Sequence, residues 1–242
     1  MRKTLQTNQN AAEKELNFAC YCAAAVLYFA QDKGDKAMTE REKMLAGKLY
    51  DTSDETLAKA RAKAHALCRK YNETDETEEE KRTAILDELV PARGKGSYFQ
   101  GPVYFDYGTN LKTGANFYAN FNLTVLDCCP VTIGNDVLIG SNCSLVTPVH
   151  PMRYQDRNIR FKLDGTPFDY EYAKPITIGD NCWLASNVTV CGGVRIGSGC
   201  VIGAGSVVTR DLPDNCFAAG NPCKVIRTVT EADAIELKRE LF

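Results

Sequence analysis

Aliphatic residues recur at every sixth position through the second half of the chain. From Ile133 they read Ile133, Ile139 and Leu145; from Ile178 they read Ile178, Leu184, Val190, Ile196, Ile202 and Val208. The fifth place of the same hexads is small or branched: Val137, Cys143, Val149, Cys182, Val188, Val194, Cys200, Ser206 and Leu212. The fourth place reads Asp136, Asn142, Asn181, Asn187, Gly193, Gly199, Gly205 and Asp211. These types best tolerate the left-handed backbone region, so the pattern demands a corner in every hexad. Short flat strands separated by corners close a triangular coil after three hexads, and such coils stack at about the 4.8 Å strand spacing. The unbroken hexads from 178 to 213 exclude a chance arrangement of strands in an ordinary sheet.

The repeat is interrupted once. Leu145 to Ile178 is a step of 33 residues, not a multiple of six. Pro148-Val149-His150-Pro151 opens the interruption and Lys174-Pro175 closes it, with Tyr154, Phe161, Phe168, Tyr170 and Tyr172 between. A loop this long in a compact domain is commonly functional.

Before the repeat the pattern is helical. Thr39 followed by Glu42 is a capping-box start, and Met44, Leu45 and Leu49 continue at helical spacing. A second helix starts at Ser53-Asp54 and carries Leu57, Ala60, Ala64, Leu67 and Tyr71 on one stripe. A third is expected from Glu78 to Leu89, and Pro91 and Gly94-Lys95-Gly96 stop the series. Residues 1–37 have a different texture, with a 13-residue apolar run from Phe18 to Ala30. That run is shorter than the roughly 20 residues a spanning helix needs. Three readings stay open for it: a leader helix, an upstream extension with Met38 as the true start, and a signal or anchor.

Composition narrows the chemistry. Twenty-nine Lys and Arg against 31 Asp and Glu give a net charge of −2, without the basic excess of a nucleic-acid binder. Eleven cysteines and only two histidines, His65 and His150, offer no cluster at zinc-ligand spacing. The cysteines read as reduced and buried, with Cys143, Cys182 and Cys200 in the small fifth place of the hexad. His65 lies in an alanine-rich helical stretch and reads as a surface or core-edge helical residue. His150 stands between Pro148 and Pro151 where the loop leaves the coil.

Four stretches carry a resemblance: MTEREKMLAGKLYD at 38–51, NFYANFNLTVLD at 116–127, PVHP at 148–151 and AAGNPCKVIR at 218–227. Together they resemble the hexapeptide-repeat acyltransferases and, more closely, the maltose/galactoside O-acetyltransferase family, over about Met38 to Arg227. The resemblance implies a mainly β fold, a left-handed parallel β-helix with an N-terminal α-helical region. The expected divisions are an extension at 1–37, a helical region at 38–93, a β-helix at 94–227 with an external loop at about 150–174, and a helical tail at 228–242.

The resemblance also implies transfer of an acetyl group from acetyl-CoA to a sugar hydroxyl, with His150 as general base and no metal. Histidine titrates nearest neutral pH and suits removal of a hydroxyl proton. Acceptor contacts would fall on Asp106, Tyr118, Asn120, Asp127 and Cys128. Coenzyme A contacts would fall on Ser186, Ala204, Thr209, Arg210, Lys224 and Arg227. The LDCCP stretch from Leu126 to Pro130 resembles maltose-type members and favours a glucosyl-type acceptor over a galactoside. Trp183 would line the acyl channel or pack at a subunit interface. A cytoplasmic homotrimer is implied, with each site between neighbouring subunits and no membrane or nucleic-acid partner.

Two other uses of such a coil are disfavoured. γ-type carbonic anhydrases need three zinc-binding histidines, and a purely structural solenoid needs neither the PVHP turn nor the GNPCKVIR end. The competing enzyme reading is an O-acetyltransferase of the same repeat class with a non-sugar acceptor, an antibiotic or serine.

Overall fold

The computed structural model describes residues 37–238. The readings of Phe18–Ala30 lie outside those residues. From Thr39 onward the chain forms one unit, a left-handed parallel β-helix of about six turns capped by helices.

Helix α1 (Glu40–Leu45) opens with the expected capping box, Thr39 and Glu42 each bonding the other's backbone N–H. It ends before Leu49. Gly47 sits at φ +70, where a Cβ would lie 2.8 Å from the Ala173 carbonyl, so the chain turns into strand β1 (Tyr50–Asp51). Helix α2 (Glu55–Asn72) is capped by Asp54, whose side chain accepts the Leu57 N–H. Helix α3 (Glu79–Leu89) follows. Leu67, Tyr71, Leu86 and Leu89 pack into the same core as Phe99, Phe105 and Phe117, and so close one end of the prism.

The prism has three faces. The first holds seven strands from Tyr98–Phe99 to Lys224–Thr228, the second five from Val103–Phe105 to Val207–Val208, and the third four from Leu111–Thr113 to Arg195–Ile196. Every first-place aliphatic from Ile133 to Val208 points inward and is buried. The corners take left-handed backbone at Asn116, Asn122, Asp136, Asn142, Asn181, Asn187, Gly193, Gly199 and Gly205. Asp211 does not share this conformation. Its carboxylate instead accepts the Arg195 N–H at 2.8 Å. Cys143, Cys182 and Cys200 are buried in the coil, and the nine described cysteines are all free.

The interruption is more ordered than a loop. Strand β2 (Pro148–Val149) leaves the coil, a one-turn helix (Tyr154–Arg157) and a hairpin follow, and strand β3 (Tyr170–Ala173) returns. β3 is the middle of a three-stranded antiparallel sheet, with β1 on one side and β2 on the other. A small core of Met44, Tyr50, Leu57, Tyr107, Cys128, Cys129 and Ala173 lies beneath it.

In the described part of the tail the helical stretches are two short 3-10 helices, Glu231–Asp233 and Ile235–Leu237, with Ala234 between them. No helix of the described residues is long and apolar enough to cross a membrane.

Candidate active site

The edge between the second and third faces gathers several of the expected site residues. Asp106 follows one second-face strand, Asp127 and Cys128 follow the next, and His150 follows the third, where the chain leaves for the loop. His150 is 49% exposed, and its Nε2 faces Glu171 Oε2 at 3.4 Å. The Glu171 side chain is only 12% exposed. Its other oxygen accepts a hydrogen bond from the buried Tyr50 hydroxyl. A half-open imidazole backed by a sheltered carboxylate can take a proton from a bound hydroxyl while the carboxylate orients the ring and stabilises the imidazolium.

Asp106 is partly buried, and burial pushes its carboxyl above the ordinary range, against the pull of Cys128, His65 and Arg61. Its Oδ2 accepts from the Cys128 thiol at 3.5 Å, and Oδ1 lies 3.9 Å from His65 Nε2. Arg61 reaches the same corner, donating to the Tyr107 hydroxyl at 3.1 Å and the Thr52 carbonyl at 3.1 Å. His65 is a half-exposed residue on the surface of its helix, as the sequence suggests, and its imidazole stands beside Asp106.

Asp127 and Cys128 stand behind this surface and not on it. Asp127 is 0% exposed, its two oxygens accepting the Tyr107 and Asn110 backbone N–H groups at 2.8 and 3.1 Å. Its carboxyl is raised by burial despite those donors. The expected acceptor contact at Asp127 is thus a corner clamp. Cys128 is likewise buried, its thiol pushed far up by desolvation and bonded to Asp106.

The remaining expected residues divide between two edges. Thr209 and Arg210 are exposed on the second–third edge, further along from His150. Asn120, Ser186 and Ala204 lie on the first–second edge, with Tyr118 and Trp183 on the adjoining first face. Ser186 Oγ accepts from Ser141 Oγ at 3.0 Å. The corner beside Ala204 is open: a Cβ at Gly205 would meet nothing within 4 Å. About six extended residues, roughly 20 Å, separate the two edges. Within one chain they do not meet. Lys224 is exposed on the last strand, whereas Arg227 is tied by two 2.7 Å bonds to Asp233 and lies over the Phe217 ring.

Glu171 and Tyr50 escape sequence reasoning. They reach His150 only through the antiparallel pairing of β1, β3 and β2, and no spacing along the chain announces it.

Comparisons with known proteins agree with this architecture. Residues 43–94 match the maltose acetyltransferase hexapeptide capping motif, residues 130–150 the hexapeptide repeat of succinyl-transferase, and residues 175–210 the bacterial transferase hexapeptide of six repeats. The galactoside O-acetyltransferase of Escherichia coli is 42% identical over 196 residues, which is 81% of this chain and 91% of that one. The crystal structure of a maltose O-acetyltransferase from Clostridium difficile is 43% identical, covers 81% of this chain and 100% of its own, and superposes with a TM-score of 0.74. A galactoside acetyltransferase in complex with coenzyme A is 40% identical, with coverages of 81% and 94% and a TM-score of 0.73.

Proposed function

The chain belongs to the maltose/galactoside O-acetyltransferase family, and from that premise we propose that it moves an acetyl group from acetyl-CoA to a sugar hydroxyl. The observation that carries the reading is His150, half open at the prism edge and backed by Glu171. His150 accepts the hydroxyl proton as the sugar oxygen attacks the thioester carbonyl. The tetrahedral intermediate collapses with loss of the coenzyme A thiolate, and His150-H⁺ returns the proton to that sulfur. Backbone N–H groups near Ser186 stabilise the oxyanion. Asp106 binds the acceptor from the same prism edge as His150. Thr209, Arg210 and Lys224 offer hydroxyl and cationic groups to coenzyme A, the charged ones to its phosphates. Arg227 joins them when it exchanges Asp233 for a phosphate.

The site is completed by a second copy. Asn120 and Ser186 sit on a different edge from His150, with Tyr118 on the adjoining face, so a neighbour in a homotrimer brings them opposite it. The first face supports this packing. Tyr98, Tyr118, Leu138, Trp183, Val201 and Phe217 are in register down it, and Tyr98, Leu138 and Trp183 are exposed.

The test is an acceptor screen with acetyl-CoA, following free thiol, over glucosides, maltose, galactosides, an antibiotic amino sugar and serine. Thiol release with a sugar, strongest with glucosyl acceptors, is expected. Turnover confined to serine or antibiotic would overturn the sugar reading.

A further inference from the structure

Tyr50 belongs to the capping region, far in sequence from the loop, yet it pairs directly across β1 and β3 with Glu171. Along β2, Pro148 pairs with Ala173 and Val149 with Tyr172. Continuing that register by one residue sets His150 opposite Glu171. Tyr50, Glu171 and His150 thus form one cross-strand row, with the carboxylate in the middle. The Tyr50 ring is 1% exposed, in the small core with Met44, Leu57 and Ala173.

We propose that Tyr50 is a positioning residue for the transfer reaction, its hydroxyl fixing the Glu171 carboxylate so that the opposite oxygen holds His150 in place for proton removal. The inference rests on His150 being the base. Three observations support it. The Tyr50 O–H donates to Glu171 Oε1, while Glu171 Oε2 is the oxygen that faces His150. The Cys128 thiol lies against the same hydroxyl from the neighbouring corner, so the Tyr50 oxygen is enclosed on both sides. Burial, with Cys128 and Glu171 beside it, pushes the phenol far up, so it stays a donor across the working pH range. The ionisable groups facing Glu171 are then Tyr50 from the cap, Cys128 from the coil and His150 from the loop strand. The capping region therefore has a positioning duty beyond closing the prism: its strand β1 delivers the hydroxyl that sets the base.

Tyr50→Phe keeps the ring and removes only the donor. A hydrogen bond to a charged group is worth about one to two decades, so kcat should fall about tenfold or more with KM little changed. Glu171→Gln should also lower kcat. Because Tyr50 acts through Glu171, the double variant should be no slower than Glu171→Gln alone, a full loss of additivity. Independent, multiplicative losses would overturn the inference, as would a folded Tyr50→Phe enzyme with wild-type kcat.

If the Phe variant does not fold, 3-fluorotyrosine placed at position 50 serves instead. It keeps the shape and makes the O–H a stronger donor. A change in kcat of about twofold or more is expected, and none in the Glu171→Gln background; an unchanged kcat with Glu171 present overturns the inference. His150→Ala, assayed alongside, separates the two readings. Full activity there defeats the base assignment, whereas an inactive His150→Ala beside a fully active Tyr50→Phe defeats only the role of Tyr50.

Discussion

His150 meets solvent on one side and a sheltered carboxylate on the other, the asymmetry on which its proposed role as base rests. His150→Ala should lower kcat by about 10²–10⁴-fold with little change in KM, read by steady-state kinetics on protein whose circular dichroism is unchanged. His65 stands apart from the proposed base. Its Nε2 lies 3.9 Å from Asp106, the proposed acceptor contact, and half its side chain is exposed, so the contact is weak and solvent-screened. His65→Ala should raise the acceptor KM by up to about fivefold, the value of about 1 kcal/mol for such a pair, and leave kcat alone.

Asp127 gives a stability prediction. Its carboxyl is raised by burial, so the folded state holds this proton more tightly than the unfolded chain. Its contribution therefore favours folding at low pH and is lost as pH rises from about 4 through its folded value. Urea melts across this window should fall less steeply with rising pH in Asp127→Asn than in wild type. The variant sets an amide against two backbone donors, at a cost of about 1–3 kcal/mol.

At this scale the sequence points to the proposed base and hides the residues around it. Two prolines and the scarcity of histidine single out His150. Glu171 and Tyr50 become neighbours of it only when three strands from distant segments pair. Asp127 reads as a surface contact because its backbone clamps lie in the preceding coil.

The repeating element is the hexad, and its corner is its most demanding residue. Asn187 holds φ +62 between the first and second faces. Asn187→Val should destabilise by roughly 1–2 kcal/mol in thermal or urea unfolding, whereas Asn187→Gly should be close to neutral. This periodicity is plain in the sequence because every coil needs the same inward aliphatic and the same left-handed turn. The two coils before Ile133 are less legible, since the six-residue register is broken there by residues that meet the capping helices. The helix starts are legible through Thr39 and Asp54, whose side chains bond the first turns. The end of α1 is not: its apolar pattern runs on to Leu49, but Gly47 must pass within 2.8 Å of a backbone carbonyl on β3. That constraint belongs to tertiary packing.

Over the whole molecule, the expected site residues split into two groups on different prism edges, and the proposed function draws on both. His150, Asp106, Thr209 and Arg210 share one edge; Asn120, Ser186 and Ala204 share the other. A homotrimer turns this division into three complete sites, and light scattering at micromolar concentration should give three times the chain mass. The most direct measurement is complementation. His150→Ala and Asn120→Ala chains, each weakly active alone, are co-expressed with different tags, and the mixed assemblies are purified on both. Some interfaces then join an intact His150 edge to an intact Asn120 edge, so acetyl transfer to the sugar should rise well above that of either parent. Mixed trimers that form but stay at parental activity would contradict a site shared between subunits, with His150 as its base.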